Sequence, residues 1–168
     1  NYDLILTPVS LGSDEIASIP LLTEPLKLIL PADHPLATGE TLEPSDLKDL
    51  RVLTLEDKHH FHHQVAQVCD QFGAQVLRDY EGTSLDTLRQ MVVMGLGAAF
   101  LPGLYVDSEL HKPDQLHVCE IANYPISRQH VLAWRYTAPS RVFFRQLAQD
   151  LREIVSTHLS DFTLVLDD

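Results

Sequence analysis

TSLDTLRQMVVMGLGAAFLPG, residues 83–103, opens on two hydroxyl side chains and closes on Pro102 and Gly103. Between these ends Leu85, Leu88 and Val92 recur on one helical face, and Gly95 and Gly97 stop the helix. The apolar run AAFL (98–101) that follows reads as a strand. An amphipathic helix leading into a buried strand is a building unit of α/β folds. A helix start with free backbone N–H groups and the hydroxyls of Thr83 and Ser84 also suits a small polar or anionic ligand. The same residues serve as caps, Thr83 with Asp86 forming a capping-box variant in which Asp replaces Glu.

Outward from this segment, short β-type runs alternate with amphipathic helices, which specifies an α/β domain. DLILTPV (3–9) reads as a buried strand. Leu26, Leu28 and Leu30 alternate with Lys27 and Ile29 in a second strand that Pro31 ends, and RVLTLE (51–56) is a third. A helix then runs from about His59 to Phe72, with Phe61, Val65, Val68 and Phe72 on one stripe. RDYEG (78–82), LHVCEI (116–121) and HVLAWR (130–135) supply further strands. The last helix opens at Ser140 and turns Phe144, Leu147, Leu151 and Ile154 inward. LTEP (22–25) and ANYP (122–125) read as hinges, so that 24–123 forms one lobe and 1–23 with 124–168 the pieces of another.

At 168 residues and 45% apolar content the chain can bury one core or two small lobes. A formal charge of −12 without clustered Lys and Arg argues against nucleic-acid contact by these residues. No apolar run reaches bilayer length, and NYDLILTPVS lacks the basic and apolar segments of a secretory signal. Two cysteines, Cys69 and Cys119, do not make a disulfide scaffold, and a reducing, cytoplasmic setting is expected. There is no paired acid and base, nucleophile elbow or phosphate-cradling loop. The expectation is therefore no catalytic residue, no enzyme activity and no cofactor.

HHFHH (59–63) raises a metal question, because His59 and His63 sit at i, i+4 on the outer helical face with Glu56 or Asp57 nearby. Two ligands do not define a site, and a histidine-rich polar surface is the simpler reading, so no metal is assigned. His60 lies off that face and can donate to an effector or change charge near neutral pH. Cys69 and Cys119 read as buried small hydrophobes. Trp134, Arg135 and Tyr136 read as a strand end packed on the last helix.

IPLLTEPLKLILPADHPLA (19–37), SDLKDLRVLTLED (45–57), residues 83–103 and the final helix together resemble the effector-binding domain of LysR-type transcription regulators. The likeness covers nearly the whole chain. Within that family it is towards OxyR-type peroxide sensors, through LEDKHH, VCDQFGA, TSLDTLRQMV and GLGAAFLPG. The resemblance implies a periplasmic-binding-protein-like fold of two Rossmann-type lobes. It implies that lobe one is only partly present and that the DNA-binding winged helix-turn-helix lies outside this chain. It further implies an effector cleft near Thr7, His59, His60, Thr83, Ser84 and Gly97, and a homodimeric or homotetrameric assembly.

OxyR-type sensors carry a peroxide-reacting cysteine after a histidine, and a resolving cysteine nine residues later. Here His59 takes the histidine position, His60 the reactive position and Cys69 the resolving one. A histidine forms neither a sulfenic acid nor a disulfide, so this resemblance implies a thiol switch that is lost. The reading that follows is the effector-sensing and oligomerisation domain of a LysR-family regulator, OxyR-like, in a hydrogen-peroxide response with the thiol switch lost, taking a small-molecule effector and reaching DNA through a separate domain. Its alternatives are a solute-binding protein of the periplasmic type and a metal-responsive regulator using His59 to His63.

Overall fold

A computed structural model describes residues 3–8, 12–110, 115–122 and 126–159. The first strand, β1 (Leu4–Thr7), is followed by the sixteen-residue β2 (Ile16–Pro31). β3 (Arg51–Leu55), α1 (His60–Phe72), β4 (Gln75–Gly82), α2 (Leu85–Val93) and β5 (Ala98–Pro102) come next. The described chain ends with α3 (Gly103–Glu109), β6 (Leu116–Cys119), β7 (Ser127–Arg135) and α4 (Arg141–His158). The chain divides into two compact units, Leu26–Ile126 and the pair Asn1–Pro25 with Ser127–Asp168. The sequence had placed these divisions at 23/24 and 123/124.

In the unit Leu26–Ile126 the strand order is β6, the second half of β2, β5, β3, β4. β3 runs parallel to both β4 and β5, whereas β2 is antiparallel to β5 and β6. Parallel neighbours need crossovers, and α1 and α2 supply them. α1 buries Phe61, Val65, Val68 and Cys69, and Gly73, left-handed at φ 70, ends it by donating its N–H to the Cys69 carbonyl. The sheet interior is Leu28, Ile29, Leu30, Leu53 and Phe100, each at most 1% exposed. Continuous apolar runs of this kind mark strands covered on both faces.

In the other unit β7 lies between β1 and the first half of β2, antiparallel to each. α4 covers this sheet with Phe144 and Ala148, and the Phe144 ring lies 6.0 Å from that of Trp134. Beside this core Glu24 is 1% exposed. Arg128 Nε donates to its Oε1 at 2.7 Å and His130 Nε2 donates to the same oxygen at 2.6 Å. Strand pairing sets Arg128 directly opposite Glu24, with His130 two residues further along β7 on the same face.

Several sequence expectations are corrected. β1 is an edge strand and not a buried one, with Leu6 62% exposed. LTEP, expected as a hinge, is extended strand inside β2 and ends where the two units divide, at Pro25; the β2 ladder with β7 continues through Pro20 and Pro25 with a register shift between Pro20 and Leu22. A proline is tolerated at such an irregularity because its missing N–H removes no ladder bond there. Pro102 and Gly103 do not break the chain but start α3. Ile154 is 52% exposed and does not face the core, whose described α4 contacts are Phe144 and Ala148, with Leu147 and Leu151 partly buried against it. Of the second expected hinge, residues 123–125 lie outside the described residues.

Candidate functional site

β3 and β4 are parallel neighbours whose register shifts between Val52 and Thr54, and beyond the shift Leu55 stands opposite Gly82, so their carboxyl ends lie side by side. The Glu56 N–H donates to the Gly82 carbonyl at 3.2 Å and ties the two exits together. α1 and α2 start within a few residues of these exits, so two helix amino ends open from one sheet edge. The carboxyl edge of a parallel sheet is where ligands bind in open α/β folds, and orphan N–H groups at helix starts favour polar or anionic ones.

At α2 the N-cap is Ser84, whose Oγ accepts from the Thr87 N–H at 3.2 Å. The expected pairing of Thr83 with Asp86 is therefore corrected. Ser84 is the residue in extended conformation ahead of the first turn, so the third helical position falls on Thr87. Asp86 is engaged elsewhere, by Arg89 Nη2 at 2.8 Å and Gln90 Nε2 at 2.9 Å. Thr87 Oγ1 lies 3.0 Å from Ser84 Oγ and 3.5 Å from Thr83 Oγ1, which gathers three hydroxyls at this helix start. Thr83 and Ser84 are both exposed. Replacing Ser84 by Ala removes the cap and is expected to lower stability by about 1 kcal/mol, read from the urea unfolding midpoint.

At α1 the N-cap is His59, with no side-chain cap bond and no acid in the first turn. Because His59 stands outside the helix, it does not continue the outer helical face on which it was expected beside His63. His60 and His63 are exposed and His59 half-buried. Among the described residues no group of three or more His, Cys, Asp and Glu forms a metal site. Sequence reasoning passed over His62, whose Nδ1 donates to the Leu55 carbonyl at 3.0 Å and fastens the first turn to the end of β3. Lys58 pairs with Glu56 in the intervening loop and holds its carboxyl below the usual range.

Gly97 is not part of this edge. It precedes Ala98, which pairs with Val52 near the amino ends of β5 and β3, roughly 15 Å along the strand from their carboxyl ends. A Cβ at Gly97 would stand 3.0 Å from the Arg51 carbonyl oxygen, so glycine here permits close strand packing. Thr7 closes β1 opposite Val131, in the other unit.

Cys69 is 1% exposed and Cys119 2% exposed, and both are free thiols. Burial, with a smaller contribution from Asp70, pushes the Cys69 thiol up to about 12, and burial pushes that of Cys119 up to about 11. Thiols held protonated in apolar surroundings are poor nucleophiles. Nine residues of helix separate His60 from Cys69, about 13.5 Å along the axis and half a turn apart in direction.

The LysR substrate-binding domain family matches residues 1–156. This chain is a LysR substrate-binding domain. It is 36% identical over 149 residues to the hydrogen peroxide-inducible genes activator of Dickeya chrysanthemi, covering 88% of this chain and 48% of that protein. The structure of the oxidized form of OxyR is similar at a TM-score of 0.78 and 32% identity, over 93% of this chain and 73% of that one. The reduced OxyR regulatory domain from Pseudomonas aeruginosa is similar at 0.75 and 29% identity, over 90% and 72%. The chain spans about half the length of the curated relatives it matches. The LysR family, its periplasmic-binding-protein-like α/β fold and the OxyR-type likeness are thus borne out. This LysR domain contains, among its described residues, no helix long and apolar enough to cross a membrane.

Proposed function

We propose that this OxyR-type domain senses a small molecule non-covalently and transmits the signal through a homo-oligomer to a DNA-binding domain elsewhere in the polypeptide. The observation that carries this reading is the contrast between the two kinds of reactive group. Both thiols are sealed in the core, while hydroxyls, imidazoles and helix amino ends are open at the β3/β4 edge. Thr83 and Ser84 would hold the ligand, with His59 and His60 beside them. His60 stands where the sensor pattern has its reactive cysteine, so the thiol switch would be lost. A ligand of this kind acts by binding one arrangement of the regulator better than another. Regulators of this type work in the cytoplasm, and that location is part of the proposal. Neither a metal-responsive reading nor a periplasmic solute carrier has a comparable observation behind it.

The test is a DNA footprint of the whole polypeptide with and without stoichiometric hydrogen peroxide. The wild-type footprint should not change, whereas His60→Cys should make it peroxide-responsive. A wild-type footprint that shifts with peroxide, and stops shifting when Cys69 and Cys119 are both replaced by Ser, would overturn the proposal.

A further inference from the structure

A groove of about 260 Å³ opens at the other edge of the same sheet, where β3 and β5 begin. It is smaller than the roughly 300–1,000 Å³ of sites for drug-sized ligands, which limits it to a compact molecule. Its polar lining comes from Asp46, Lys48, Asp49, Arg51 and His34. Both carboxylates are exposed and each accepts a hydrogen bond: Asp46 Oδ2 from the Glu43 N–H at 2.8 Å and Asp49 Oδ1 from Gln75 Nε2 at 3.3 Å. His34 Nδ1 accepts the Leu36 N–H at 3.2 Å, so in the neutral ring Nε2 carries the proton and is a donor. The Lys48 and Arg51 side chains make no hydrogen bond or ion pair with any described residue, although two carboxylates line the same groove. Asp49 holds a left-handed backbone at φ 62, a conformation uncommon outside glycine that Asp and Asn tolerate.

We propose that this groove binds an amino-acid-sized zwitterion, its carboxylate on Lys48 and Arg51 and its ammonium on Asp46 and Asp49. A simple anion would meet the two carboxylates and a simple cation the two basic groups, so a molecule carrying both charges is the one that neither pair repels. Pro31, Leu36 and Leu50 add an apolar wall that suits an aliphatic side chain. The site shares no residue with the β3/β4 exits and does not depend on the effector proposed there.

The test is a ¹H–¹⁵N titration of the domain with L-leucine, followed at the Gly95, Gly97 and Ala98 amides. Saturable shifts with roughly millimolar affinity are expected, as befits exposed charges. Arg51→Gln and Asp49→Asn should each weaken binding about threefold. Asn keeps the left-handed backbone available, and the amides remote from the groove report that each variant is folded. 4-Methylpentanoate and isopentylamine, each carrying one of the two charges, should also bind at least about tenfold more weakly. The proposal is overturned if leucine gives no saturable shift, if either single-charge compound binds as well, or if both variants bind like the wild type.

Discussion

Cys69 should react with iodoacetamide about a thousandfold more slowly in the folded domain than in urea at pH 8. Burial raises its thiol from 9.0 to about 12, which removes about three decades of thiolate at pH 8. Cys119, raised to about 11, should be slowed about a hundredfold. Quenched alkylation read by intact mass gives both rates. Folded rates within about tenfold of the unfolded ones would contradict the account of sealed thiols. The same shift has a pH consequence of definite sign. A thiol whose folded value lies above its unfolded one stabilises the fold fully below about pH 9, and that contribution is lost as pH climbs towards 12. Urea midpoints should therefore fall through alkaline pH, and fall less steeply in a Cys69→Ala variant.

Glu24→Ala should be among the most damaging single changes, at about 3 kcal/mol, the lower end of what breaking a buried ion pair costs. The carboxylate is 1% exposed and one of its oxygens takes hydrogen bonds from both Arg128 and His130. Its removal takes from Arg128 and His130, only 19% and 16% exposed, the carboxylate oxygen to which both donate. That residual exposure is why the lower end of the range applies. Glu24→Gln retains an acceptor oxygen and should cost less. Urea denaturation with an unchanged slope separates these outcomes, and equal midpoints for wild type and Glu24→Ala would contradict the assignment.

What could be read from the sequence was what short-range pattern encodes. The stripe of Phe61, Val65 and Val68 placed α1, and the hydroxyls, leucines and glycines of 83–97 placed α2 within a residue of its observed limits. The first half of β2 escaped because Pro20 and Pro25 look like breakers, and only the pairing with β7 shows that the ladder passes them. α3 escaped because Pro102, which ends β5, is also the N-cap of a helix that Gly103 begins. Within the site Thr83 and Ser84 were legible, but Thr87 was not, since the capping register was assigned one residue early. His62 reaches back to Leu55 across a loop, and Glu24 meets Arg128 and His130 more than a hundred residues away. Contacts of that range leave no local periodicity to find.

Free-thiol count and intact mass of the native domain, before and after stoichiometric hydrogen peroxide at neutral pH, address the central claim most directly. The account predicts two free thiols and an unchanged mass at both points, because neither buried thiol supplies a reactive thiolate and His60 cannot take part. A sulfenic acid on Cys69, or a Cys69–Cys119 disulfide formed while the protein stays folded, would contradict it and return peroxide to the role of signal.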